Sequence, residues 1–122
     1  MGVGTAAVDW RLEEAVFIAG LRERNDWIEA TLDALGDTHT TDQYVCECGE
    51  AACPQLVCTT REEYESVRSV PTRFIVARDH EDPETDLLRE ENERFSVIEK
   101  MPGRLRRVAY ESDVRSRGET SR

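Results

Sequence analysis

The sequence has little of what familiar enzyme chemistry uses. It contains no phosphate-binding glycine loop, no G-x-S-x-G nucleophile elbow and no H-E-x-x-H metal helix, and two histidines serve all 122 residues. The commonest nucleotide-binding, acyl-transfer and metalloprotease sites are therefore excluded. No apolar run approaches the roughly 18 residues that a membrane span requires. In the opening MGVGTAAVDWRLEEAVFIAG, Asp9, Arg11, Glu13 and Glu14 interrupt the apolar stretch of a signal peptide, so none is read and a reducing cytoplasm is the expected compartment. Apolar residues make up 39% and charged residues 34% of the chain, which leaves a thin core that a cross-link would help.

Basic charge is scarce as well. The net charge is −10, and no Lys or Arg occurs between Thr31 and Thr60. Nearly all the acid precedes Gly103, whereas the tail GRLRRVAYESDVRSRGETSR carries six arginines against Glu111, Asp113 and Glu119. An acidic field repels phosphate backbones, so nucleic acid is disfavoured as a partner except through the Arg-rich tail, and an unidentified protein partner is expected instead. The length suits a single domain. Residues 1–8 read as a flexible leader, 9–102 as an α+β metal-binding domain, and 103–122 as a basic, disordered tail.

From Trp10 to Leu35, Phe17, Leu21, Ile28, Leu32 and Leu35 recur at helical spacing, with Arg24 completing the stripe. This predicts one long amphipathic helix, N-capped by Asp9 and ended by Gly36. A polar loop, DTHTTDQ, leads to a strand ending in YVC. The small residues, Gly and Pro of CGEAACP then form a turn, and QLVCT resumes as the second leg of a hairpin. Thr60 and Glu63 form a capping box that opens a short second helix over REEYESVR. TRFIVA and RFSVIEK read as strands, and Leu87-Leu88 fits either a strand pairing with 94–100, the preferred reading, or a single helical turn after Pro83. The expected architecture is α+β, a long N-terminal helix on a small antiparallel sheet with a zinc-binding hairpin and a short second helix.

All four cysteines fall in YVCECGEAACPQLVCTT, at Cys46, Cys48, Cys53 and Cys58. Tetrahedral zinc needs thiolate sulfurs within about 4 Å of each other, whereas residues i and i+2 of a regular strand lie about 6.5 to 7 Å apart. Gly49 supplies the bend that lets Cys48 close on Cys46, and Cys53 returns to the same point after GEAA. The fourth ligand is Cys58 or His80. Cys58 shares a strand face with Leu56, the pattern of a packed residue. A Cys3His set also carries about one negative charge less than four thiolates beside Glu47 and Glu50, which favours His80. Thiol redox chemistry, an iron–sulfur cluster and unliganded core cysteines remain alternatives. The spacing matches neither common ferredoxin run, and neighbouring carboxylates oppose the thiolate that redox chemistry needs. His39, in DTHTTD, reads as a solvated loop residue.

The combination of F-x3-LRERNDWI, CECG-x3-C, T-x-EEYESVRS-x-PTRFIV, DHEDPE and F-x-VIEK resembles a group of small, uncharacterised actinobacterial proteins with a CxCGx3C motif and a downstream histidine. The resemblance spans roughly residues 15 to 100. It implies that positions matching Cys46, Cys48, Cys53 and His80 recur together and that the position of Cys58 is usually another residue. Arg78-Asp79 stands where the group tends to have Pro-Gly, so the turn before His80 departs from the pattern. No activity comes with the resemblance.

Three thiolates make an electron-rich site that polarises water poorly, so a closed structural zinc ion is expected rather than a catalytic one. The functional expectation is a non-catalytic zinc-binding module with a regulatory or protein-interaction role. The alternatives are a thiol-based redox or metal sensor and a metal-dependent enzyme.

Overall fold

The structure, a computed structural model, describes residues 10–113 and 115. The expected leader, 1–8, lies outside them, as do 114 and 116–122 of the tail. Helix α1 spans Trp10–Ala34. Gly36, at φ +72°, ends it in a Schellman arrangement, with Asp37 N donating to Leu32 O and Gly36 N to Asp33 O. Strands β1 (Asp42–Val45) and β2 (Leu56–Thr59) form an antiparallel hairpin in which Val45 faces Leu56. Helix α2 (Arg61–Arg68) starts at the predicted capping box, with Glu63 N donating to Thr60 Oγ1 and Thr60 N to Glu63 Oε1. Strands β3 (Arg73–Val76), β4 (Asp86–Glu91) and β5 (Ser96–Lys100) make a second antiparallel sheet in the order β3-β5-β4, with a register shift between Leu88 and Glu90. The fold is α+β, as expected, with two small sheets rather than one. No described helix is long and apolar enough to cross a membrane.

The core gathers Ile18, Tyr44, Val57, Tyr64, Phe74, Ile75, Val76, Phe95, Val97 and Ile98 where the two sheets, α1 and α2 meet. Tyr44 stacks on Tyr64 at 4.7 Å between ring centroids. Much of what surrounds these residues is charged.

Two sequence expectations are corrected here. The expected N-cap Asp9 lies outside the described residues and the C-terminal limit of α1 matches, but the face turned inward is Ala15, Ile18, Ala19, Arg22, Asn25 and Glu29. The predicted stripe lies about a third of a turn away. Phe17 and Leu35 are exposed, and Leu21, Ile28 and Leu32 are half-buried. The buried face is chosen by hydrogen bonding. Arg22 donates to Pro71 O (2.6 Å) in a part-buried contact and to Ala109 O (2.7 Å) in a buried one. The expected disordered tail, in turn, begins with helix α3 (Arg104–Glu111). Leu105 and Ala109, four apart, are buried, and the helix packs against α1. Asp113 follows it into the interior and pairs with Arg68 at 3.0 Å.

Arg68 also reaches Asp26 at 2.8 Å, Arg22 lies 3.9 Å from Asp113 and Arg115 lies 3.3 Å from Asp26, so three guanidinium groups share two carboxylates that join α1, α2 and the chain after α3. Removing one partner from such a buried set strands the others. Asp113→Ala is expected to lower unfolding free energy by about 3–5 kcal/mol in urea titrations, a loss that a solvated tail residue would not produce.

Glu29, on the same face of α1, has its carboxyl pushed up to about 7, first by burial and then by the hydrogen bond and charge of Glu65, with Arg115 pulling the other way. The folded state thus favours the protonated form. That contribution is complete below the ordinary glutamate range and is lost as pH rises through about 7. Thermal melts should show stability falling between mildly acidic and mildly alkaline pH, and Glu29→Gln should flatten that slope.

Candidate metal centre

The site lies in the ten residues between the hairpin strands and in the turn after β3. Cys46 prolongs β1 by one bond, its N–H donating to Gln55 O at 3.3 Å. Glu47 then leaves the hairpin for the edge of β3. Its N–H donates to Ile75 O (2.9 Å), its Oε1 accepts from Ile75 N (2.9 Å), and its Oε2 accepts from Asn25 Nδ2 (2.8 Å). Asn25 also pairs with both the N–H and the carbonyl of Val45, at 2.8 and 2.9 Å. Side chains alternate along an extended chain, so with Glu47 turned into the core Cys46 and Cys48 face the other way together. Gly49, at φ +88°, supplies the expected bend, and Cys53 N closes a turn on Glu50 O at 3.0 Å.

His80 arrives from the opposite loop. Its N–H donates to Ala77 O at 3.1 Å, closing a turn in which Asp79 takes φ +69°. That is the position where Gly or Asn is usual, so Arg78-Asp79 makes the turn at some local cost. The ring presents Nδ1 at 3.6 Å from both Cys46 Sγ and Cys53 Sγ. One ligand atom from each of Cys46, Cys48, Cys53 and His80 lies within 4.8 Å of the others. For tetrahedral zinc, bond lengths of about 2.3 Å to sulfur and 2.0–2.1 Å to nitrogen put S and N about 3.6 Å apart. The four residues are thus close enough to hold a metal ion. Ala77 N donates to Cys46 Sγ at 3.2 Å, a contact that favours a thiolate.

Burial pushes the Cys46 thiol well above its ordinary value, with the charge of Cys48 adding to this, and burial also raises the Cys48 thiol, with Cys53 pushing the same way and Cys46 opposing. Without a cation they are poor nucleophiles, whereas metal coordination removes their protons. Glu47 faces the core rather than this site, its two oxygens taken by Ile75 N and Asn25. Burial pushes its carboxyl up to about 7, opposed by Asn25, the Ile75 N–H and the charges of Arg22 and Arg68.

Cys58 is not in the cluster. It sits on β2 opposite Gln43, half-buried, on the face it shares with exposed Leu56. Val57 and Thr59 take the buried face, so Cys58 is not the packed residue the sequence suggested. His39 is exposed, as expected, yet it meets Asp37 at 2.6 Å and lies with Asp42 in a second group of possible ligands. Arg61 already reaches Asp33, Asp37 and Asp42, so this group is an ion-pair knot closing α1 onto α2. The roles of Asn25, Glu47 and the Ala77 N–H were invisible in the sequence, because nothing local marks a carboxylate that turns inward.

A β-carbon at Gly49 would lie 2.9 Å from Ile18 Cδ1, on a backbone that side chains rarely adopt. Gly49→Ala should cost about 1–3 kcal/mol in chemical denaturation and weaken metal retention during dialysis against a chelator.

No protein-family model, curated protein or solved structure matches the chain.

Proposed function

We propose that the protein is a non-catalytic zinc-binding module with a regulatory or protein-interaction role, in which a single zinc ion is held by the Sγ atoms of Cys46, Cys48 and Cys53 and by Nδ1 of His80. The observation that carries this reading is the 3.6 Å separation of His80 Nδ1 from two of the sulfurs, the value that tetrahedral zinc requires. Three thiolates and an imidazole suit zinc over the harder cations, which take oxygen ligands. Four protein ligands leave no position for water or substrate on the ion. The ion is therefore structural.

Its physical task is a cross-link. It ties the hairpin loop to the turn after β3, between strands of two different sheets. Such a site contributes on the order of 10 kcal/mol to folding, comparable to the whole stability of a domain of this size. A thiol redox sensor is the competing reading, and the raised Cys46 and Cys48 thiols disfavour it because such sensors need exposed thiolates.

Metal analysis of the native protein should find about one zinc per chain and no iron chromophore. Cys58→Ser should retain it, whereas His80→Ala and Cys53→Ser should lose most of it, and chelation should unfold the chain by circular dichroism. Retention in His80→Ala together with loss in Cys58→Ser would refute the ligand assignment. A reversible disulfide formed with zinc release on mild peroxide would favour the sensor.

A further inference from the structure

Three depressions meet end to end beside α1. An acidic pocket of about 400 Å3 is lined by the carboxyl-bearing residues Glu14, Glu50, Asp79, Glu81 and Asp82 next to Cys48 and His80. Glu50 is shared with a groove of about 610 Å3 that runs between Val16, Phe17 and Leu21 of α1 and the metal loop as far as Leu56. Arg24 and Val45 are shared in turn with a third depression bearing Trp27 and Ile28. From Glu14 to Trp27 the path is about 20 Å long at the rise of an α-helix.

The path has a chemical polarity. Val16, Phe17, Leu56 and Trp27 are 59, 41, 53 and 66% exposed, an apolar strip of the kind that marks an interaction surface. It takes in Phe17, Leu21 and Ile28 of the predicted α1 stripe. One end holds five acidic side chains beside the metal loop, and a Cys3His zinc site adds about one further negative charge. The other end holds Arg24 beside Trp27.

We propose that this path docks an amphipathic segment of a partner protein, about 20 Å long, with basic residues at the end entering the acidic pocket and an apolar face covering Phe17, Leu21 and Leu56. The inference rests on the zinc reading, because the loop that carries the three cysteines forms one wall of the groove. A second copy of the chain does not fit as occupant, since two bodies of net charge −10 would meet along an acidic surface. An anionic membrane is disfavoured by the same charge.

The test uses full-length, zinc-loaded protein carrying Trp10→Phe, so that Trp27 alone reports. The probes are a Lys/Leu amphipathic helix of about 14 residues, its Glu/Leu counterpart, and vesicles containing phosphatidylserine. The Lys/Leu peptide should bind, shift Trp27 emission to the blue and bind more weakly as salt rises, while the Glu/Leu peptide should not bind. Glu50→Gln with Asp79→Asn should weaken binding about fivefold, and Phe17→Ala with Leu56→Ala about tenfold or more, with zinc content unchanged in both. Equal binding of the two peptides, unaltered binding by both variants, or a Trp27 shift only with vesicles or on self-association would overturn the proposal. Zinc-loaded protein that ignores the Lys/Leu peptide overturns docking alone, whereas protein isolated without zinc overturns the metal reading and docking with it.

Discussion

The attachment of Glu47 to β3 and α1 is the constraint on which the remaining geometry depends. Its main-chain N–H and its carboxylate grip both polar groups of Ile75, and the carboxylate also takes Asn25. Three elements distant in sequence are joined by one residue at the end of the hairpin. The alternation of an extended chain then puts Cys46 and Cys48 on the opposite side, facing the turn that delivers His80. A carboxylate buried this deeply is costly unless it is fully hydrogen-bonded. The contacts of Asn25 and Ile75 meet that cost and, in meeting it, specify where the loop must sit.

The same logic runs through the interior. Arg22, Arg68, Asp86, Lys100 and Asp113 are all buried beside a modest set of apolar side chains. Lys100 pairs with Asp86 at 2.7 Å, and Arg68 with Asp113 at 3.0 Å. Buried pairs of this kind add little net stability over an apolar core of equal volume, but each is intolerant of losing one member. Such an interior specifies its arrangement strongly while contributing modest energy. A metal ion held by Cys46, Cys48, Cys53 and His80, as proposed, would add a cross-link between the two sheets.

Metal loop and groove are two sides of one structure. The loop is held on the core side by Glu47 and offers its sulfurs to His80, and its outer edge faces the apolar side of α1. Phe17 and Leu21 of the stripe border this edge, and Ile28, which lines the adjoining depression, packs partly against the core. An ion that stiffens the loop therefore also stiffens one wall of the surface proposed for a partner. On the proposed reading, stability and recognition would be linked through the same four side chains.

The sequence by itself determined the elements whose signals are local. The capping box at Thr60, the glycine that stops α1, the strand pairing of Leu87-Leu88 and the bend at Gly49 were legible, because each depends on residues within a turn or two. The gathering of Cys46, Cys48 and Cys53 was legible for the same reason, and His80 was the better of two fourth candidates on charge. Helix α3 was missed although Leu105, Val108 and Ala109 have helical spacing, since its arginines read as a solvated tail. Only the tertiary structure decided which face of α1 is buried. Apolar periodicity pointed to Phe17 and Leu21, yet the core took Arg22, Asn25 and Glu29, whose partners are carbonyls, amides and charges on the loops and helices packed around them. Such partners are brought together by folding and leave no mark in the spacing of any one segment.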